Sequence, residues 1–409
     1  MNALTLPETT PSDYTFQYID IGSVDGDGNV TLDKPIQFYE APSRARRIVK
    51  RNDVLISTVR TYLKAIAPVD FDSTDVIAST GFAVCTPTHG MHPRYLAYAV
   101  RSDGVINEIC KESSGISYPA INATMLSAIK IPYYDAESQR KIVAYLDEKT
   151  AAIDARVAVL EKKLAAYKRL KASVINRSVT RGLDPKARLK DSGVNWIGKV
   201  PEGWEVRNLS HCFGFFKGLS ITKADLTETG TFVISYGQIH SNLNIGTHLK
   251  PELLRYVPEA IAAADSSARL KVGDIVFADT SEDVEGCGNC VLMDAESPVY
   301  AGYHAIVARP EESRRSRYFS YLFNASCWRS QIRSKVAGIK VFSITQRIFK
   351  GVSLLLPPIA DANSIADYLD AECAKIDKMA ELVTREIELY KKLKRSLINE
   401  VVTGNREVA

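Results

Sequence analysis

No run of about 18 apolar residues occurs in the chain, so no membrane-spanning helix is expected. The stretch from Met1 to Tyr14 lacks the basic start and apolar core of a secretory signal. The 7 cysteines are odd in number and scattered, which fits free thiols in a reducing cytoplasm better than a disulfide framework. Excess charge is small: 52 Lys and Arg against 48 Asp and Glu leave +4, so a nucleic-acid partner must be argued from local clustering. Catalytic signatures are scarce. There is no Gly-x-x-x-x-Gly-Lys-Ser/Thr loop to cradle phosphates. The Asn/Asp-Pro-Pro-aromatic run of base-directed amino-methyltransferases is missing, and Leu356-Pro-Pro-Ile359 does not supply it. Cys287-Gly-Asn-Cys290 has zinc-like spacing, but no second pair stands at a suitable distance, so an ordinary turn is expected. Asp25-Gly-Asp-Gly-Asn29 opens like a calcium loop. Its sixth position is Val30 and Ile36 stands where a closing Glu belongs, which predicts a hairpin turn. His89 and His92 flank a Gly-Met turn and read as solvated loop residues.

What is present is a repeat. Ile142-Val-Ala-Tyr-Leu-Asp147 recurs as Ile365-Ala-Asp-Tyr-Leu-Asp370, and Tyr167-Lys-Arg-Leu-Lys-Ala-Ser-Val-Ile-Asn176 as Tyr390-Lys-Lys-Leu-Lys-Arg-Ser-Leu-Ile-Asn399. The offset holds at 223 residues from Ile142 to Thr180 without a gap. Weaker echoes precede it: Pro93-Arg-Tyr-Leu-Ala-Tyr98 with Ser316-Arg-Tyr-Phe-Ser-Tyr321, and Gly115–Ile121 with Gly338–Ile344. Each block closes on an apolar run and proline, Ile129-Lys-Ile-Pro132 and Leu354-Leu-Leu-Pro357, both expected as strands. At 409 residues, more than one core is expected. The boundaries read as a globular unit over 1–134, a long helix over 135–181, a linker over 182–203, a second globular unit over 204–357, and a second helix with its tail over 358–409. Trp204 to Gly230 has no counterpart of similar length in the first unit, which predicts a missing opening element there.

Leu146, Ile153, Val157, Leu160, Leu164 and Tyr167 fall at steps of three, four or seven, and so do Leu369, Ile376, Val383, Ile387, Tyr390 and Leu397. That is a heptad seam on each helix. Each helix, at about 60 Å for roughly 40 residues, outruns a globular unit of this size, so the two are expected to pair as an antiparallel coiled coil. The fold class is therefore α+β: two strand-rich mixed domains, each followed by a long helix. Lys171 and Lys394 share one seam step; a lysine there can set register, but snorkelling to water is the expectation.

Charge clusters locally. Ser313 to Ala360 contains no Asp or Glu, yet carries nine Lys or Arg with aromatics interleaved. Arg44, Arg46, Arg47, Lys50 and Arg51 cluster in the first unit. Such patches neutralise phosphates, and polar loop residues then read base edges. The candidate DNA-binding residues are Arg44, Arg46, Arg47, Arg60, Tyr62, Lys64, Ser117 and Tyr118 in the first unit. In the second they are Lys217, Tyr236, Gln238, Asn242, Gln331, Arg333, Lys335 and Lys340. Phe319, Phe323 and Trp328 recur at helical spacing and read as core.

Three motifs point to a family: Asp191-Ser-Gly-Val-Asn-Trp-Ile-Gly-Lys-Val-Pro-Glu-Gly-Trp-Glu-Val206, the two Ile-x-x-Tyr-Leu-Asp helix starts, and the two Tyr-Lys-x-Leu-Lys-x-Ser-x-Ile-Asn helix ends. With them the whole chain resembles the specificity subunit of a Type I restriction-modification system. The first motif resembles the one that opens a target recognition domain, and the first unit departs from the pattern by lacking it. The resemblance implies two domains that each read half of a split double-stranded DNA site, and helices that set the gap between the halves. It also implies docking of two modification subunits, which bind S-adenosylmethionine, and of restriction subunits that use ATP and Mg. It implies no catalysis, cofactor or metal in this chain. The competing reading, a coiled-coil scaffold or adaptor without DNA recognition, explains the helices but not the Trp196–Trp204 motif.

Overall fold

The computed structural model describes every residue except Ser73, His89, Ile339, Lys340 and Ala409. The chain divides into two compact units: unit 1 joins Met1–Lys162 to Thr384–Ala409, and unit 2 is Lys163–Val383.

Unit 1 is built from short strands: β1 (Thr15–Ile19), β2 (Ile36–Gln37), β3 (Ala45–Ile48), β4 (Val54–Ser57), β5 (Ile66–Pro68), β6 (Val76–Ser79) and β7 (Phe82–Cys85). β1 lies between antiparallel β2 and parallel β6, with β3 beyond β6. A second sheet places β4 between antiparallel β5 and β7. All four residues of β4 are buried, because Leu55 packs towards Ile19, Val76 and Phe82 on one side. Val54 and Ile56 meet helices α1 (Pro93–Val100) and α2 (Asp103–Lys111) on the other. A short α3 (Ala123–Ala128) leads to the long α4 (Ala136–Arg181). The Asp25–Asn29 stretch is a hairpin turn, as expected: Val24 bridges Val30, and Asp25 accepts from the Asp27 and Asn29 amides. His92 is not a solvated loop residue. It caps α1 half-buried, its amide donating to Gln139, while His89 lies outside the described residues.

Unit 2 opens with β8 (Leu189–Asp191), β9 (Lys199–Pro201), β10 (Glu205–Asn208) and β11 (Phe213–Lys217). There follow β12 (Thr231–Ile234), β13 (Arg255–Val257), β14 (Ile275–Ala278), β15 (Thr280–Ser281), β16 (Cys290–Leu292), β17 (Val299–Ala301), β18 (Ala305–Pro310), β19 (Phe342–Ser343) and β20 (Ser353–Leu356). Its helices are α5 (Tyr236–Ile239), α6 (Glu259–Ala264), α7 (Ser316–Asn324), α8 (Ser326–Arg333), α9 (Gln346–Lys350) and the long α10 (Ile359–Val402). The topology repeats that of unit 1. β12 sits between antiparallel β13 and parallel β17, and β14 between antiparallel β16 and β18. Phe319, Phe323 and Trp328 are core, as expected.

The opening element differs between the units. In unit 2, β10 pairs with β20 over four residues and β11 runs along β18 over five. In unit 1 a single bridge, Asn2 to Val84, stands at the edge of β7. Ile129–Pro132 is consequently not the expected strand: without a counterpart of β10 it has no ladder to join. Trp204, 2% exposed, packs edge-on to Tyr318 and donates to Asp361. It leaves no room above Gly182, where a Cβ would stand 3.2 Å from the indole. Tyr134 takes the corresponding place in unit 1. It packs edge-on to Tyr95, the repeat equivalent of Tyr318, and its hydroxyl donates to Val402 O. Buried Gln139 ties the same corner by donating to Gly90 O and Tyr134 O. Unit 1 thus seals by side chains the surface that unit 2 covers with strands.

The long helices pair within each unit. In unit 1, Asp154 bonds Lys394 and Glu161 faces Lys391, so rising numbers along α4 meet falling numbers along α10: the pairing is antiparallel. In unit 2, Lys171 bonds Asp377. Leu146, Ile153, Val157, Leu160, Leu369, Ile376, Val383, Ile387 and Leu397 are buried, and Leu164, Tyr167 and Tyr390 half-buried. The expectation that Lys171 and Lys394 snorkel to water is corrected. Asp154 and Asp377 stand at the 223-residue offset, as do the two lysines, so one Asp–Lys pair is made once in each unit. Lys394 is only 7% exposed.

Candidate nucleic-acid interface

A polar clamp fixes each domain to its own long helix before any site is built. In unit 1, Arg94 and Tyr98 on α1 both bond Asp147 of α4, at 2.9 and 2.7 Å. In unit 2, Arg317 and Tyr321 on α7 bond Asp370 of α10 in the same way, and Arg317 also reaches Asp367 at 2.8 Å. Burial first, and donation to aspartate second, push both tyrosine pKa values up, Tyr98 having the Thr150 hydroxyl as a counter-influence. The clamp consumes part of the basic signal of the sequence. The run from Ser313 to Ala360 holds no acid of its own, but the fold brings acids to it. Arg314 holds the Glu312 carboxyl down at about 2, and Arg317 meets two aspartates. Arg329 is turned inward to the carbonyls of Cys287 and Glu285, and burial pushes its guanidinium down. The run is therefore not one phosphate-facing surface.

In unit 1 the chain leaving β4 makes a tight loop. Arg60 and Lys64, both in the left-handed region at φ 50° and 53°, flank a single turn, Thr61–Leu63. Thr61 is buried against the Ser113 hydroxyl, which turns Tyr62 outward. The loop is stitched to a second one: Val59 bridges Ala120, and the Arg60 amide donates to Pro119 O at 2.7 Å. The second loop carries Ile116, Ser117 and Tyr118 into solvent. The Thr80–Gly81 turn joins the set, because Thr80 N donates to Arg44 O and Thr58 N to Gly81 O. Arg44, Arg60, Tyr62, Lys64, Ser117 and Tyr118 are thereby held on one set of linked loops. Arg44 is exposed, Arg46 lies over the Phe38 ring at 4.5 Å, and Arg47 is half-buried with its Nε unbonded.

Unit 2 uses the same construction. β15 pairs with β19 where Val59 bridges Ala120 in unit 1. A cavity of about 780 Å³ opens beside it, lined by Tyr236, His240, Thr280, Glu282, Asn289 and His304 among others. Arg329 donates to Asn289 Oδ1, which aims Asn289 Nδ2 at His240 Nδ1, 2.9 Å away. His240 Nε2–H must then donate to Thr280 O at 2.7 Å. The wall is fixed, with the His240 ring held between the Asn289 amide and the Thr280 carbonyl. His304, at φ 54°, also borders a neighbouring cavity with Lys217 and Arg347, and sits 3.0 Å from Asp279.

Of the residues expected in unit 2, Tyr236 lines the first cavity and Lys217 the second. Asn242 is exposed just beyond α5. Gln238 spends its side-chain oxygen on the Ser235 amide, capping α5. Both ends of the Gln331 amide bond the backbone of Ser353, so it ties α8 to β20. Arg333 and Lys335 are likewise turned to the carbonyls of Glu285 and Gly351. Lys340 lies outside the described residues. Sequence reading missed His240, His304, Glu282 and Asn289. The signal available was His240 one turn after the β12 strand, within Ser235–His240. Among the described residues no group of His, Cys, Asp or Glu could hold a metal, and Cys287 and Cys290 are buried free thiols, the latter pushed up to about 12 by burial. No helix among them is long and apolar enough to cross a membrane.

Comparison with known proteins agrees with this layout. The model of the Type I restriction modification DNA specificity domain matches residues 13–162 and 201–388. The putative type I restriction enzyme MjaX specificity subunit of Methanocaldococcus jannaschii is 26% identical over 333 residues, covering 78% of this chain and 69% of that protein. The MjaVIII specificity subunit of the same organism is 22% identical over 300 residues, covering 73% and 67%. Among solved structures, a chain from work on complex assembly and conformational transition of the type I R-M system superposes with a TM-score of 0.66 at 20% identity. It spans 98% of this chain and 95% of its own, and so supports the fold.

Proposed function

Since the chain belongs to the Type I restriction-modification DNA specificity family, we propose that its linked loops read DNA and direct methylation and cleavage to a two-part site. The observation that carries this is the duplication. Each unit presents the loop after a buried central strand, β4 or β14, bonded to a second loop about 60 residues on. Arg60, Tyr62, Lys64, Ser117 and Tyr118 are the contacts of unit 1. In unit 2 they are Lys217, Tyr236, Asn242, His304 and Arg347, with Glu282 placed to accept from a cytosine amino group. Catalysis is delegated. Two modification subunits that bind S-adenosylmethionine would dock on the long helices, with ATP- and Mg-dependent restriction subunits joining through them. Supporting this is a second apolar stripe away from the seam: Val159 and Leu170 on α4 are exposed, as are their repeat equivalents Leu382 and Leu393 on α10. We place the assembly in the cytoplasm, where free thiols persist.

The test is co-expression with a Type I modification subunit and sequencing of random DNA for newly methylated adenine. A split motif with a fixed gap is expected. A single half-site or its palindrome would mean that unit 1 does not read DNA. No methylation, together with DNA binding that does not weaken as salt rises, would return the scaffold reading.

A further inference from the structure

Unit 1 contains a cationic cavity that shares only Lys64 with the DNA contacts proposed above. It has a volume of about 280 Å³ and is lined by Lys64, Arg101, Lys391 and Arg395, with Asp27 and Asp103 as its carboxylates. Arg101 follows α1 and presses on the turn at Gly28. That turn holds φ at +82°, and a Cβ there would stand 2.7 Å from the guanidinium. Among the described residues no acceptor bonds the Arg101 side chain. Of the acids around it, Asp27 and Asp103 line the cavity, whereas Asp25 is engaged by the amides of its own turn and Asp154 by Lys394. Lys391 has only a long contact, 3.9 Å, to Glu161. Arg101 is half-buried, and four cations in the cavity face two carboxylates, which leaves it with an excess of positive charge.

The repeat makes the argument specific. The equivalent of Arg101 in unit 2 is Asn324, and the equivalent of Arg395 is Ala172. Asn324 sits against a positive-φ glycine too, Gly246, but its amide is satisfied by Ser320 O and Cys290 Sγ. Unit 2 thus has no charge at either of these two positions, and the cavity beside Asn324 is lined by three aspartates, Asp294, Asp370 and Asp377, with Lys171 and Arg317, so the excess of positive charge belongs to unit 1.

We propose that this cavity binds a phosphate group, with Arg101 as its central donor and Lys64, Lys391 and Arg395 around it. The group comes from the DNA backbone or from a free phosphate ion. In the first case the inference rests on the DNA reading above, since Lys64 shares its loop with Arg60 and Tyr62.

The experiment uses the full chain and the double variant Arg101→Asn with Arg395→Ala, which installs the residues of unit 2. Arg395→Ala alone, at an exposed position, serves as the second variant if the first unfolds. Binding to short duplexes of unrelated sequence is followed across a salt series, and the thermal midpoint is followed with added pyrophosphate. If the phosphate is that of DNA, affinity falls about tenfold for every duplex and the salt slope shrinks by about one. If it is a free ion, pyrophosphate raises the midpoint of the wild type but not of the variant, and duplex binding is unchanged. Identical behaviour of wild type and variants in both arms overturns the proposal. A wild type that binds no duplex, yet loses its pyrophosphate response on substitution, keeps the phosphate site and sinks the DNA reading instead.

Discussion

Lys394 shows how one side chain can be a register mark and a liability together. Its ammonium is nearly buried and is held by both oxygens of Asp154 at 2.7 Å. Asp154→Ala leaves that charge without its partner, and we expect a loss of about 1–3 kcal/mol in urea unfolding of unit 1. Lys394→Met removes the charge along with the need for a partner, and should stay within about 1 kcal/mol of wild type. Equal losses in the two variants would show that the pair itself, rather than the stranded charge, sets the energy. Little of this was legible beforehand. The sequence shows Lys171 and Lys394 on the seam, but their partners lie 206 and 240 residues away. The clamp residues had the same difficulty: Arg-Tyr and Tyr-Leu-Asp were visible as repeats, yet nothing local says that Tyr98 bonds Asp147 or Tyr321 bonds Asp370, each 49 residues on. The acid-free basic run misled for a related reason, because a carboxylate absent from a segment can arrive by folding.

At the scale of elements, helix bounds were legible and strands were not. Heptad spacing and flanking prolines mark α4 and α10 because a helix makes its own hydrogen bonds. A strand does not, and the equivalent runs at Ile129 and Leu354 therefore part company according to whether β10 exists. The start of α4 carries a pH signature. Asp135 accepts from the Ser138 amide and hydroxyl and from the Glu137 amide. The Ser138 amide bond is the largest influence, and its carboxyl is held below the usual value. A depressed folded pKa stabilises above the unfolded pKa, about 3.9, and the contribution is lost as pH falls through the folded value. Asp135→Asn keeps an oxygen at the cap but does not titrate. The wild type should be the more stable at neutral pH, and the two should converge in urea midpoint as pH falls through the folded value. A gap that persists unchanged into acid would remove Asp135 from the account.

For the whole molecule, the duplication was the most legible feature, since an uninterrupted offset needs no structure to be seen. On the proposal that the helices set the gap between half-sites, equivalent heptads can be removed from both, Leu160–Ala166 and Val383–Leu389, which keeps the seam in phase. Seven residues shorten a helix by about 10 Å, or about three base pairs at 3.4 Å each. The methylated motif should keep its letters and lose about three base pairs of gap; altered letters with the old gap would refute the spacer. The division of the chain has a further consequence, for the order of synthesis. Unit 1 needs Thr384–Ala409, where Lys394, Asn399 and Val402 meet Asp154, Asp103 and Tyr134, whereas unit 2 is complete at Val383. On the ribosome the second unit can therefore finish before the first. The domain translated earliest waits, with one face of its helix uncovered, until Thr384–Ala409 has been made.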